Sequence, residues 1–213
     1  MLLHSLFLVF FLCGVESVVR NVTCPDVEPR ELDWKELDGK WYLAASASQI
    51  QILGECAIIK FSHIKNNATE ISISWVSNNT VSYYNGSLAI IEDPKSNGTG
   101  DLLAVTYQDA KIETYSFLDV EYGHYAVMFA CYNNEDGNSS TYELWKLSRT
   151  PHLKEDSSEK INKALTKYDL LDTPFDVYKN TDEYCAISGV NVSNPSSLVM
   201  SSVAAITLFR RLY

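Results

Sequence analysis

The sequence predicts an all-β fold: an eight-stranded antiparallel up-and-down barrel with one C-terminal α-helix packed outside it. Three observations support this prediction. Long segments rich in Val, Ile, Thr, Phe and Tyr alternate between apolar and polar residues, which is typical of half-buried strands. Short stretches of turn-forming residues separate these segments at even spacing, as between consecutive hairpins. After Pro151 the apolar residues change to helical spacing.

The composition is that of one soluble domain. The chain has 213 residues, of which 46% are apolar and 21% are charged, which excludes a disordered or collagen-like chain. Its 27 acidic residues outnumber the 17 basic ones and give a net charge of −10. Such a surface repels phosphate backbones, and no basic stripe relieves the repulsion. We therefore expect no nucleic-acid partner.

The N-terminus has the pattern of a secretory signal peptide, to which we assign residues 1–17. An apolar run occupies residues 2–12, and small residues follow it up to Ser17, near which we place the cleavage. The run is too short to cross a bilayer core of about 30 Å as a helix. The alternative interpretation is a buried N-terminal strand. We assign residues 18–188 to the folded domain.

A short helical turn and eight strands follow. Leu32, Trp34 and Leu37 have the spacing of one helical turn within residues 31–38, and Gly39 then opens the first strand. The predicted strands share alternating side chains and are bounded by Asn, Asp, Gly and Pro. They are residues 41–47, 56–64, 70–76, 81–91, 102–108, 113–120, 124–132 and 141–148.

Antiparallel strands joined by short hairpins close readily into an up-and-down barrel. Closure removes the exposed sheet edges and leaves an interior wide enough for one small ligand. Beyond the barrel, Asp156 and Glu159 form a predicted capping box, and Ile161 and Leu165 lie on one helical face with Ala164 and Tyr168. A short strand at residues 175–179 is predicted to follow, before Cys185.

The C-terminus resembles a removable signal for a glycosylphosphatidylinositol (GPI) anchor. Small polar residues begin near Ser188, and an apolar run occupies residues 198–209. We assign residues 189–213 to the spacer and the removed signal, with Ser188 and Asn191 as the leading attachment candidates. The alternative is a frayed tail. The partner implied here is a membrane, reached through the glycolipid rather than through a spanning helix.

Four cysteines remain in the mature chain after removal of Cys13. An even number in a secreted protein predicts two disulfides, for which the sequence alone allows three pairings. The four cysteines and four histidines are scattered, so no metal site, catalytic residue or cofactor is predicted. The four cysteines are Cys24, Cys56, Cys131 and Cys185.

Seven Asn-x-Ser/Thr sequons predict a heavily glycosylated surface. None has Pro in the middle, and most lie between apolar runs, where loops are expected. The acceptor residues are Asn21, Asn67, Asn78, Asn85, Asn97, Asn138 and Asn191.

Three motifs resemble those of the lipocalin family, in the order that the family has them. Gly39 and Trp41 match the Gly-x-Trp motif of the first barrel strand, and Arg149 matches the Arg that closes the last one. Tyr122 matches the last residue of the Thr-Asp-Tyr motif, whose first two positions are Val120 and Glu121 here. The resemblance covers residues 24–185.

The cysteine positions are similar to those of the apolipoprotein D/Lazarillo branch of the family. This resemblance implies the pairs Cys24–Cys131 and Cys56–Cys185, a small hydrophobic ligand, and a neuronal surface protein with a role in axon growth or guidance. It also implies that Trp41 and Arg149 stack as a cation–π pair that closes one end of the barrel, a structural role. The alternative function is a freely secreted carrier of a pigment, retinoid or lipid.

Strand alternation and the resemblance together predict which side chains line the pocket. We expect an aromatic, apolar cup with few polar groups, in which one or two Tyr hydroxyls bind the ligand. The alternative is an interior filled by its own side chains. The predicted pocket residues are Val105, Tyr107, Tyr115, Phe117, Met128 and Trp145.

Two other functions are less well supported. An enzyme similar to the lipocalin-type prostaglandin synthases requires a free thiol, whereas all four mature cysteines are assigned to disulfides, so no enzymatic activity is predicted. An adhesion module that contacts a protein receptor through its loops is compatible with ligand binding, and the acidic surface favours a basic receptor.

Overall fold

The computed structural model describes residues 18–28, 30–64, 68–93 and 100–190. It contains ten strands and three helices within these residues. In chain order they are β1 (Val18–Arg20), α1 (Trp34–Leu37), β2 (Gly39–Ala47), β3 (Glu55–Ile64), β4 (Ala68–Ser77), β5 (Thr80–Glu92), β6 (Asp101–Tyr107), β7 (Ile112–Glu121), β8 (Tyr125–Asn133), β9 (Ser140–Ser148), α2 (Glu155–Lys167), β10 (Asp176–Val177) and α3 (Asp182–Val190).

Strands β2 to β9 form the predicted eight-stranded barrel. Each strand pairs antiparallel with the next one along the chain, and pairing of β9 with β2 closes the sheet. β9 pairs with β2 through residues 144–148 and with β1 through residues 140–142. The short β10 lies along the other free stretch of β2, opposite Ala45 and Ser46. β1 thus covers the part of β9 that does not pair with β2, and β10 covers the part of β2 that does not pair with β3.

Alternation along the strands divides the apolar residues between the barrel interior and two clusters outside it. On β9, Trp145 and Leu147 face the barrel interior. On β8, Met128 faces the interior, whereas Val127 and Phe129 pack outward in the core that contains α2. This division arises because successive side chains point to opposite faces of a sheet.

Helix α2 packs on the outside of the barrel, but the predicted capping box is wrong. The helix begins at Glu155, so Asp156 already lies within the first turn, and no side chain caps the helix at Lys154. The two acidic residues of the first turn instead lie where the helix dipole favours negative charge. Ile161 and Leu165 are buried against the barrel, as their spacing predicts.

Both disulfides connect terminal segments to the barrel. Cys24 bonds to Cys131 in β8, with Cα atoms 5.8 Å apart, and Cys56 in β3 bonds to Cys185, with Cα atoms 5.1 Å apart. These are the pairs that the resemblance implies. Cys185 lies in α3, a helix that the sequence analysis did not predict. The strand predicted at residues 175–179 is present only as Asp176–Val177.

Several predicted features lie outside the described residues. They are the signal peptide, most of the C-terminal spacer and tail, and three sequons, at Asn67, Asn97 and Asn191. Asn21, Asn78 and Asn138 are exposed, whereas Asn85 is half-buried in the middle of β5, where its Oδ1 accepts a hydrogen bond from Ser72 Oγ at 2.6 Å. No helix in the described part of the chain is long and apolar enough to cross a membrane.

Candidate functional site

One end of the barrel is closed by the stacked pair that the resemblance implies. The guanidinium carbon of Arg149 lies 3.8 Å from the centre of the Trp41 ring. Trp41 is fully buried, and its indole Nε1 donates to the Leu37 carbonyl oxygen of α1 at 2.8 Å. The indole is therefore held by a hydrogen bond to α1, and the Arg149 guanidinium covers its ring face.

Arg149 also connects three segments at this end through hydrogen bonds to backbone carbonyls. Its Nε donates to Tyr122 O at 2.8 Å, and its Nη1 donates to Asp38 O at 3.1 Å and Lys40 O at 3.0 Å. Its Nη2 donates to Glu36 O. The planar guanidinium suits such convergent acceptors, which an ammonium group cannot bridge in the same way.

The remaining motif residues lie at the same closed end. The Tyr122 hydroxyl accepts the Asp33 N–H at 2.8 Å, which links the β7–β8 turn to α1. Gly39 has φ of +95°, a conformation that residues with a Cβ rarely adopt, where the chain leaves α1 and enters β2. The four motif residues, Gly39, Trp41, Tyr122 and Arg149, therefore hold the closed end of the barrel together.

The six predicted pocket residues all face the barrel interior and are almost completely buried, between 0% and 3% exposed. Their rings pack closely: the Tyr115 and Trp145 ring centres lie 6.5 Å apart in an edge-to-face arrangement. The indole Nε1 of Trp145 is buried without a hydrogen-bond partner among the described residues. These side chains fill the middle of the barrel, and the role predicted for them in ligand binding stays a prediction.

A chain of polar groups crosses the interior between Tyr107 and Lys111. The Tyr107 and Tyr115 hydroxyls lie 3.1 Å apart, and the Tyr115 hydroxyl donates to Glu143 Oε2 at 2.8 Å. The second oxygen of Glu143 lies 2.7 Å from Lys111 Nζ, which also lies 2.9 Å from Glu113 Oε1. The interior is therefore more polar than the cup that the sequence analysis predicts.

This network holds its tyrosines neutral and its lysine charged. Burial raises the pKa of Tyr115 well above its ordinary value, and the neighbouring Tyr107 and Glu143 raise it further. Burial alone lowers the pKa of Lys111, but its hydrogen bonds to Glu143 and Glu113 outweigh burial, so that the pKa is raised overall. The group thus carries two carboxylates and one ammonium.

A cavity of about 350 Å³ opens at the end of the barrel opposite Arg149. Its wall is formed by the β2–β3 loop, by β4 and β5, and by the β6–β7 turn. The wall residues are Gln49, Ile50, Gln51, Trp75, Tyr84, Asp109 and Lys111.

None of the six predicted pocket residues is in the wall of this cavity, although the cavity adjoins them. The Tyr84 ring stacks on the Tyr107 ring with centres 4.7 Å apart, and the Tyr84 hydroxyl donates to Asp109 Oδ2 at 2.8 Å. The six residues fill the middle of the barrel, and the open space lies nearer its open end, the mouth, which is opposite Arg149.

Sequence reasoning missed the charged residues of the site. Glu113 lies two positions before Tyr115, and Glu143 lies two positions before Trp145, so the same parity that placed the aromatic residues also points both glutamates inward. The inward direction of both glutamates could therefore have been predicted from the sequence. The position of the Lys111 side chain could not, because Lys111 lies in a turn, where strand alternation does not apply.

The chemistry of the site is suited to holding a ligand. Within the residues that the structure describes, no group of three or more His, Cys, Asp or Glu side chains is arranged to bind a metal ion. The cavity wall consists of two aromatic rings, one aliphatic side chain, two amides, one carboxylate and one ammonium group. Such a concave, partly apolar site is typical of small-molecule binding.

Comparison with known proteins gives the family. The model of the Lipocalin / cytosolic fatty-acid binding protein family matches residues 38–182, which include the whole barrel and helix α2. The chain belongs to the lipocalin family. Proteins of this family are generally binding or carrier proteins rather than enzymes, and they take small hydrophobic ligands or pigments.

Two insect proteins are among the relatives of this lipocalin. Insecticyanin-A of Manduca sexta is 24% identical over 149 residues, which are 68% of this chain and 78% of the relative. The Lazarillo protein of Schistocerca americana is 24% identical over 171 residues, 79% of each chain. The similarity to the branch that the cysteines indicate is therefore confirmed at low identity.

Solved structures confirm the fold. Lobster apocrustacyanin A1 is 17% identical and superposes with a TM-score of 0.66 over 78% of this chain and 92% of its own. Insecticyanin from the tobacco hornworm Manduca sexta is 21% identical, with a TM-score of 0.64 over 80% of this chain and 93% of its own. At these identities the comparison concerns the barrel and its helix, not the ligand.

Proposed function

We propose that this lipocalin binds a small hydrophobic ligand at the mouth of its barrel, as an N-glycosylated, GPI-anchored protein of the extracellular face of the plasma membrane. The observation that supports ligand binding is the cavity of about 350 Å³ beside the aromatic interior. This volume lies within the range of about 300–1,000 Å³ that is usual for small-molecule sites.

Apolar contact provides the affinity in this proposal. Ile50, Trp75 and Tyr84 offer an apolar surface on the cavity wall, and burial of apolar area contributes roughly 25 cal/mol per Å². The amides of Gln49 and Gln51 can donate to a polar group of the ligand near the solvent. The ligand is thus expected to have an apolar body and few polar atoms.

Tryptophan fluorescence tests this proposal with a built-in control. Titration with retinoids, fatty acids, sterols and bilins should change the emission saturably for at least one class, because Trp75 lies in the cavity wall. Trp75→Phe should abolish most of the change, whereas Trp34→Phe, in α1 at the closed end, should retain it. Unchanged emission with every class would favour an interior filled by its own side chains.

The anchor rests on the sequence pattern of residues 189–213 and on similarity to the Lazarillo protein. When the full-length chain is expressed in animal cells, phosphatidylinositol-specific phospholipase C should release it from the surface. A chain that ends at Val190 is the matched control, since it lacks the apolar run and should appear in the medium. Full-length protein found already in the medium would contradict the anchor.

A freely secreted carrier is the second candidate function. The similarity to the insecticyanins and the crustacyanin structure supports it as well as it supports the anchored form. The phospholipase experiment distinguishes the two, because only the anchored form is held at the cell surface. A pigment, a retinoid or a lipid would be the cargo of the carrier.

The neuronal role is the finer part of the proposal. Similarity to the Lazarillo protein supports a part in axon growth or guidance, with a protein receptor as a further partner. Removal of the protein from developing neurons should change the paths or lengths of their axons. Normal axons in cells shown to lack the protein would contradict this role and leave ligand binding as the function.

Glycosylation is expected at the exposed acceptors Asn21, Asn78 and Asn138 and at the remaining sequons. Treatment of the native protein with an N-glycosidase should increase its gel mobility stepwise. Asn78→Gln and Asn138→Gln should each remove one step. An unchanged mobility after treatment of the native protein would contradict a glycosylated surface.

A further inference from the structure

The mouth of the barrel carries an excess of negative charge. Asp109 and Lys111 are the charged residues of the cavity wall, and Glu113 and Glu143 lie directly behind Lys111. Two carboxylates therefore contact the ammonium group, and a third, that of Asp109, lies in the same wall and accepts the Lys111 backbone N–H. A charged ligand in the cavity interacts with all four of these charges, not only with those in the wall. Near a protein surface the effective dielectric constant is about 20, so charges several ångströms apart still interact.

Lys111 is not free to bind an anionic ligand. Its ammonium group lies 2.7 Å from Glu143 Oε1 and 2.9 Å from Glu113 Oε1, and both carboxylates are buried. A ligand carboxylate placed near Lys111 would have to break one of these contacts. It would also approach the carboxylate of Asp109 and those of both glutamates, which repel it.

A second carboxylate lies behind the cavity wall. Glu113 is only 7% exposed and contacts Lys111 Nζ through its Oε1. The Tyr132 hydroxyl on the neighbouring strand accepts the Thr114 N–H at 2.9 Å, and burial together with a hydrogen bond to the Glu113 carboxylate raises the pKa of this hydroxyl to about 12. Glu113 therefore acts on a ligand in the cavity through its charge rather than by direct contact.

The aromatic wall suits the same kind of ligand. Trp75 and Tyr84 line the cavity, and aromatic ring faces attract cations through their quadrupole. The Tyr84 hydroxyl donates to Asp109 Oδ2 at 2.8 Å, which holds that ring beside a carboxylate. Rings and carboxylates thus favour positive charge on one side of the cavity.

We infer that this cavity selects amphiphilic amines, that is, an apolar or aromatic body carrying one protonated nitrogen, over carboxylic acids of the same shape. The inference rests on the proposed ligand-binding function and specifies its ligand class. The nitrogen lies beside Asp109, where the charges of Glu113 and Glu143 add to the attraction, and the apolar body lies against Trp75, Tyr84 and Ile50.

Three naphthalene derivatives that differ only in their head group test the inference. The affinities of naphthylmethylamine, naphthalenemethanol and naphthoic acid are measured by isothermal titration calorimetry at neutral pH and low salt. The amine should bind at least about tenfold more tightly than the acid, with the alcohol between them. Because these charges are close to solvent, the preference should narrow as salt is added.

Two variants identify the source of the preference. Asp109→Asn and Glu113→Gln each remove one negative charge and keep a hydrogen-bond acceptor, so each should reduce the amine-to-acid ratio several-fold. Asp109 is exposed, so its variant folds even if the buried Glu113→Gln variant does not. Glu92→Gln, an equal charge change at the opposite end of the barrel, should leave the ratio unchanged.

The binding results for the three compounds test the amine preference separately from ligand binding itself. Equal binding of the three compounds, or tightest binding of the acid, would overturn the amine preference while leaving a ligand site in place. An amine preference that Asp109→Asn leaves unchanged would also overturn it, because its source would lie elsewhere. Absence of binding by all three would overturn the inference and count against the cavity as a ligand site.

Discussion

Among single residues, Arg149 joins the most segments at the closed end. Its guanidinium covers Trp41 and donates to carbonyls of the α1–β2 segment and of the β7–β8 turn. Each charge-assisted hydrogen bond contributes more than a neutral one, and the cation–π contact adds about 1–2 kcal/mol where it is desolvated. These contacts lie at the opposite end of the barrel from the cavity.

Arg149→Ala should therefore destabilise the protein without changing its ligand preference. We expect the free energy of unfolding to fall by about 3 kcal/mol, which corresponds to a melting temperature lower by about 6–12 °C for a domain of this size. Arg149→Lys should recover only part of the loss, because an ammonium group cannot reach all the acceptors. Loss of ligand binding in a fully folded Arg149→Ala variant would contradict the structural role.

Gly39 gives a second prediction for a single residue. At its φ of +95°, a side chain is strained whatever space surrounds it, so Gly39→Ala should lower the free energy of unfolding by about 1–2 kcal/mol in urea titration. Gly123→Ala is the matched control, since an added Cβ there has no atom within 4 Å and no positive φ to oppose it. Equal stability of the two variants would contradict this explanation.

Among the elements, α3 depends on the barrel more than on its own sequence. The helix has nine residues, too few to be stable alone in water. Tyr184 and Ile187 pack on Tyr42 and Ile58 outside the barrel, and the disulfide from Cys185 to Cys56 closes a sequence separation of 129 residues. The disulfide holds α3, and with it the residues that lead to the proposed anchor site.

Removal of this disulfide should release the C-terminal segment before the barrel unfolds. The double variant Cys56→Ala/Cys185→Ala should lose about 3 kcal/mol of stability, and limited proteolysis should cut first within residues 178–190. The control variant Cys24→Ala/Cys131→Ala should lose a similar amount but be cut first near the N-terminus. Identical first cuts in the two variants would show that the disulfides do not hold separate segments.

At the scale of the whole molecule, the protein encloses neutral tyrosines inside an acidic barrel. Burial raises the pKa of Tyr107 and of Tyr115 above the ordinary value, and Glu143 raises both further. Below about pH 10 these hydroxyls are protonated in the folded and the unfolded chain alike. Above that pH the unfolded chain releases protons that the folded chain retains, so stability falls as the pH rises.

The protein should therefore lose stability steeply at alkaline pH. Between about pH 9 and pH 11, the free energy of unfolding measured in urea should begin to fall, with a slope that approaches about 1.4 kcal/mol per pH unit for each buried tyrosine. Tyr115→Phe should make this slope shallower, whereas Tyr83→Phe, at a partly exposed position, is the matched control. An alkaline slope that Tyr115→Phe does not change would contradict the linkage.

The sequence by itself determined the barrel and the position of α2. These features follow from local patterns, because strand alternation, helical spacing and turn residues act over a few positions. The closed end followed from the resemblance of three motifs to those of the family. The inward direction of Met128 needed the family resemblance as well, because alternation leaves open which of the two sets of side chains faces the interior. The interior glutamates were within reach of the same argument, since Glu113 and Glu143 share the parity of neighbouring interior residues.

Only the tertiary structure decided what the mouth of the barrel contains. Lys111 and Glu143 are 32 positions apart, and their contact depends on how the β6–β7 turn and β9 are brought together by closure of the sheet. The same closure placed the open volume beside Trp75 and Tyr84 rather than among the predicted pocket residues. Periodicity states which way a side chain points, whereas the space left between side chains depends on the packing of all the strands at once.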